Sequence, residues 1–218
     1  MIGQAVAGLP ERRELRRPPD PMRGGLFVVA RELVFVIAVA LAVAVTFKTF
    51  VAQAFFIPTG SMLPQLQLGD RVIVSKVSYR LHDPNRGDIV VFHNPNPPPD
   101  EPESVPERAV REVLEAFGIR APSTEEFIKR VIGLPGETVE GRDGRVYVDG
   151  LELVEPYLPE GTVTSDFSPV QVPEGTLWVM GDNRRGSLDS RSFGPVDRST
   201  VVGRAVVKAW PVPDMSFL

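Results

Sequence analysis

The chain has 218 residues, 43% hydrophobic and 24% charged, enough to bury a core in one domain or one and a half. It has no cysteine, which removes thiol proteases, disulfides and thiolate metal sites together. The net charge of −4 is uneven, with +3 on residues 1–31 and −7 on the remainder. That acidic remainder argues against nucleic acid as a partner.

Residues 1–25 are rich in Arg, Pro and Gly without apolar periodicity, the composition of a disordered tail. An apolar stretch follows, giving a transmembrane anchor at 26–53 whose helix runs roughly Leu33–Gln53. Leu33–Phe47 is fifteen residues without a charge, about 22 Å of helix, and Lys48 can snorkel to the interface before uncharged residues resume. A buried core helix would show a polar face, and this segment has none. A cleaved leader would place its small residues after the apolar run, but Ala38, Ala40, Ala42 and Ala44 lie inside it. Arg16, Arg17, Arg23 and Arg31 precede the span and only Lys48 follows before Arg71. The positive-inside rule then puts the N-terminus in the cytoplasm and residues 54–218 outside.

Past the anchor the pattern changes to short runs with the period of β-strands. Asp70–Val77 and Asp88–Phe92 alternate, each introduced by a Gly-Asp turn. Glu137–Glu140, Arg145–Asp149 and Leu151–Val154 form a meander, with hairpin turns at Gly141–Gly144 and Asp149-Gly150. Thr176–Met180 and Thr200–Trp210 add two strands, so the fold class is a mostly β, antiparallel domain. Residues 94–124 interrupt it as a surface insertion, proline-rich and acidic at first, then helical over Glu107–Phe117.

Three stretches carry possible chemistry. In FFIPTGSMLPQLQL, Ser61 sits between the turn Pro58-Thr59-Gly60 and the apolar Met62-Leu63-Pro64, the setting of an exposed nucleophile or of an ordinary turn serine. In FIKRVIGLPGE, alternation sets Phe127, Lys129 and Val131 on one strand face and Ile128, Arg130 and Ile132 on the other. One of the two cations must then lie among neighbours that exclude water. A buried unpaired lysine sheds its proton and becomes a general base, although lysine in an apolar run normally points to solvent. In GDNRRGSLDSR, Ser187 is placed to orient the lysine amine, and Asp189 and Arg191 to pair and stiffen the loop. The plainer reading is an Asx-rich surface turn. Arg184 and Arg185 fall where a calcium loop would want carboxylates.

IPTGSMLP, GDRVIV, RGDIVVF, KRVIGLPGE and GDNRRGSLDSR, in this order after an N-terminal anchor, resemble a bacterial type I signal peptidase over about residues 54–210. The resemblance implies a signal-peptidase or SOS-repressor-protease-like β fold and a serine–lysine dyad, with Ser61 as nucleophile, Lys129 as general base and Ser187 hydrogen-bonding the lysine. It implies an oxyanion hole from the Thr59 hydroxyl and the Ser61 backbone N–H. Arg130, Asp182, Asp189 and Arg191 match positions that shape the site. Phe55, Ile57, Met62, Leu66, Phe127 and Ile128 match positions lining two shallow pockets for small residues, the Ala-x-Ala preference. The implied partners are signal peptides of exported preproteins, membrane lipid and, indirectly, the secretion machinery. No cofactor or metal is implied. Compared with the enteric members of that family, the chain shows one anchor rather than two, and its insertion at 94–124 has no counterpart that aligns. A self-cleaving repressor would need a DNA-binding domain where this chain has an anchor. A module that only binds a partner would not depend on Ser61 or Lys129. A Ser-His-Asp hydrolase is disfavoured, since neither His82 nor His93 sits in a motif.

Overall fold

The computed structural model describes residues 21–96 and 126–218, and only the backbone at 21–28 and 47–49. The chain divides into two units, 1–45 and 46–218. The first is carried by helix α1 (Pro21–Phe50), whose window Val29–Thr46 has a mean hydropathy of 2.2 and no buried residues, long and apolar enough to cross a membrane. The helix begins before the expected start at 26, with Pro21 in the first-turn position that proline suits. It also stops short of Gln53. The bulk of the expected tail and of the insertion, including the helix at Glu107–Phe117, lies outside the described residues.

The second unit is antiparallel β. Its larger sheet has the order β1-β2-β11-β3-β4-β9-β10, with β12 added on β11. These strands are β1 (Ala52–Phe56), β2 (Arg71–Ser75), β3 (Ile89–His93), β4 (Glu126–Gly133), β9 (Thr176–Met180), β10 (Val196–Asp197), β11 (Val201–Trp210) and β12 (Ser216–Phe217). The smaller sheet is β7-β6-β5-β8, from β5 (Thr138–Arg142), β6 (Arg145–Val148), β7 (Leu151–Glu152) and β8 (Phe167–Gln171). Two-residue turns join β5–β6–β7. Asp143 and Asp149 take φ of 52° and 50° there, each followed by a glycine, the left-handed pair that a tight hairpin requires.

Strand β1 departs from expectation, because the anchor was expected to run to Gln53 and no strand was read over AQAFF. It pairs with β2 from Ala52↔Ser75 to Phe56↔Arg71 and buries only Phe55. Strand β8 also escaped notice. Its Pro169 is tolerated because β8 is an edge strand.

Three apolar clusters hold the unit together. One gathers Phe55, Ile57, Met62, Leu66, Val72, Val74, Ile89, Val91, Ile128 and Ala205. A second joins the two sheets through Ile132, Val139, Val146, Val148, Val172, Trp178 and Met180, with Phe167 stacked on Trp178 at 5.5 Å. The third lies around Val90, Phe92, Val131, Leu177, Val179 and Val196. Strand β4 contributes to all three, so both of its faces are covered.

Candidate active site

Ser61 sits in a single 3-10 turn, Gly60–Met62, entered through an extended Thr59. The turn is anchored by Met62, fully buried in the first cluster. Gly60 does not take a positive φ. It is needed for space, since a Cβ there would lie 2.9 Å from Leu63 Cδ1. Ser61 and Lys129 are 6% and 3% exposed. Lys129 Nζ donates to Ser61 Oγ and to Ile128 O, both at 2.8 Å. The Thr59 hydroxyl lies 3.5 Å from Ser61 Oγ.

No carboxylate bonds to the Lys129 amine among the described residues, and its Nζ lies 5.3 Å from the Phe127 ring centroid. Burial therefore lowers its pKa from 10.5 to about 8, with the more distant Asp189 and Asp182 charges opposing the fall. The alternation required one buried cation on β4, but two are buried, because the sheet is covered on both sides. Arg130, 5% exposed, solves the problem differently. Its Nε and Nη2 donate to the Asp182 carboxylate at 2.8 and 2.6 Å, its Nη1 to Gly87 O and its Nη2 also to Gln65 Oε1. Its guanidinium stacks 3.9 Å from the Tyr157 ring centroid.

The loop after β9 braces the Ser61 turn. Asn183 N–H donates to Ser61 O and its side-chain amide to Gly60 O, both at 3.0 Å. Asp189, fully buried, accepts from Gly181 N–H and from Arg191 Nε and Nη2 at 2.8 and 2.7 Å, the expected stiffening pair. Ser187 requires a correction. Its hydroxyl oxygen is buried without a hydrogen-bond partner and does not bond to the lysine, whose direct partners are Ser61 and Ile128. Ser187 instead packs on the Gly181 backbone, where no Cβ would fit.

The six expected pocket residues divide. Ile57, Met62 and Leu66 are 1% exposed or less and serve as packed core beneath any pocket rather than as its surface. Phe55 and Ile128 join the same cluster with 5% and 7% exposure. Phe127 belongs to the third cluster, edge-on to Phe92.

Several site residues went unseen in the sequence. Arg184, 4% exposed, pairs with Glu155, donates from Nη1 to Thr164 Oγ1 at 2.9 Å and from Nε to Gly181 O at 3.1 Å. The Tyr157 hydroxyl donates to the same Glu155 carboxylate at 2.6 Å. Burial and that carboxylate push the phenol upward, so it stays a neutral donor. Residues 155–164 thus tie the connection out of the small sheet to the loop carrying Asn183. The turn-like density of charge in GDNRR was the available signal, but Glu155 lies too far away in sequence for spacing to pair it.

Against known proteins, the family model described as signal peptidase, peptidase S26, matches residues 30–210. The chain is 43% identical over 177 residues to a signal peptidase I of Leptolyngbya laminosa, covering 81% of this chain and 77% of that one. It is 35% identical to the signal peptidase I of Mycobacterium tuberculosis H37Rv (83% and 72% covered) and 33% to that of Bacillus caldolyticus (82% and 91%). A crystal structure of a signal peptidase I from Enterococcus faecalis V583 matches at 32% identity with a TM-score of 0.40, covering 57% of this chain and 98% of that one. With a family model spanning most of its length and relatives above 30% identity, the chain belongs to the signal peptidase family, peptidase S26, and is a serine endopeptidase.

Proposed function

We propose that this chain removes N-terminal signal peptides from exported preproteins after small residues, through an acyl-enzyme formed on Ser61 with Lys129 as the base. The observation that carries the reading is a lysine amine, buried and bonded at 2.8 Å to a serine hydroxyl, with its pKa brought down to about 8. In the neutral amine the same contact carries a proton the other way. Nζ takes it from Oγ as Oγ attacks the carbonyl carbon, then returns it to the leaving amine as the C–N bond breaks. A water molecule gives its proton to the same amine while attacking the ester, and the proton returns to Ser61 Oγ. Thr59, extended and with no capping bond to make, supports an oxyanion role for its hydroxyl beside the Ser61 N–H. Each such donor is worth about 3 kcal/mol in comparable sites. Arg130, Asp182, Asp189 and Arg191 hold the loop in place, while Phe55, Phe127 and Ile128 offer the apolar surface that suits small residues. On this reading the chain is anchored once in the plasma membrane, N-terminus in the cytoplasm and catalytic unit outside. Exposed Trp210 and Phe217 suit a lipid interface.

The experiment is cleavage of a purified preprotein by wild type, Ser61→Ala and Lys129→Ala, with circular dichroism establishing that each variant folds. Loss of cleavage in both folded variants supports the dyad. Substantial activity in Lys129→Ala contradicts it.

A further inference from the structure

Beside the nucleophile lies a polar cleft of about 510 Å³ between residues 159–163 and 182–185. Its wall begins at Leu63 and Pro64, two and three residues past Ser61, and includes Asn183, which holds the Ser61 turn. Two charges lining it are already neutralised, Asp182 by Arg130 and Arg184 by Glu155. Glu160 and Arg185 are not. Both are exposed, and among the described residues neither forms an ion pair.

The sheet indicates how a substrate would reach this cleft. Strand β9 pairs with β4 only from Arg130 onward, so Glu126–Lys129 has no strand on that side among the described residues. An extended peptide can add itself to that free edge, as peptides do at open sheet edges. Where β9 takes over at Arg130, the peptide must leave the edge. The loop that follows β9 forms the cleft wall at that end. The free edge carries Phe127 and Ile128, whereas the cleft presents an amide, a carboxylate and a guanidinium. An apolar leader suits the first surface and the polar start of a mature chain suits the second.

Resting on the reading of Ser61 as nucleophile, we propose that this cleft receives the first residues of the mature chain, and that Arg185 and Glu160 read their charge. Arg185 favours acidic side chains just after the scissile bond, and Glu160 favours basic ones on the opposite wall.

The test uses the full-length enzyme in detergent and two preproteins identical except for Asp or Lys at the second residue after the cleavage point. Arg185→Glu should lower the ratio of kcat/KM for Asp over Lys by about 5-fold, and Glu160→Lys should raise it by a similar factor, both effects shrinking at high salt. A second preprotein pair, with the charge change placed five residues before the cleavage point, should give the same ratio for all three enzymes. If the Asp/Lys ratio is equal in wild type and both variants while Ser61→Ala is inactive, the cleft assignment is wrong and the nucleophile stands. If the variants act on the leader-side pair instead, the cleft binds the other half of the substrate and the proposal is overturned. Ser61→Ala retaining activity would overturn the reading beneath both.

Discussion

Two buried lysines in one β unit meet opposite fates. Lys208 on β11, 6% exposed, is neutralised by Asp70 at 2.9 Å, and that carboxylate also accepts from Gln67 N–H. Lys129 on β4, 3% exposed, is given a serine hydroxyl and a backbone carbonyl. Burial is the same in both places, and only the partner differs. An ion pair makes the first lysine a brace between the turn at Asp70 and β11. Neutral oxygens leave the second with a lowered pKa, the condition the proposed base requires. Arg130, the very next residue, shows that the fold could have supplied a carboxylate here, because it bonds Asp182.

Breaking each lysine should therefore produce different damage. The largest effect is on chemistry: Lys129→Ala should lower cleavage by about 10³-fold or more while leaving the fold intact, as removal of a catalytic base does elsewhere. Lys208→Met strands the Asp70 carboxylate in the core and should cost about 3–5 kcal/mol in denaturant unfolding, with kcat nearly preserved in the folded fraction. Lys129→Met should do the reverse and stabilise the protein at pH 7, by at most about 3 kcal/mol, the differential carried by a fall from 10.5 to about 8.

The pH dependence sharpens the contrast. Between about 8 and 10.5 the unfolded state binds a proton at Lys129 that the folded state has released, so stability rises with pH across that window. Lys129→Met should flatten that rise, and paired melts of the two proteins from pH 7 to 11 would reveal it. The smallest effect belongs to Ser187→Ala. With no bond to lose, it should shift unfolding by less than about 0.5 kcal/mol.

Much of this was legible in the sequence because it is local. Turn glycines and period-2 alternation placed β2, β3, β5, β6, β9 and β11 within a few residues. The segment carrying Ser61 and the strand carrying Lys129 stood out by their own composition, and Asp189–Arg191 by its spacing. What failed depends on distant partners. AQAFF gives no sign that β2 will pair with it, so β1 was not read as a strand and its first two residues were assigned to the anchor. Ser187 lay near the lysine in expectation, but packing on Gly181 turned its hydroxyl elsewhere. The second buried cation on β4 could not be foreseen, since Arg130 is accommodated by Asp182, Gln65, Gly87 and Tyr157 from four separate segments.

The protonation of a single amine can be measured directly. In the full-length enzyme with ¹³C-labelled lysine, the resonance absent from Lys129→Met is the Lys129 side chain. The account predicts that it titrates with a midpoint near 8. A midpoint above 10, where ordinary lysines titrate, would show that residue 129 is a cation at working pH and no base.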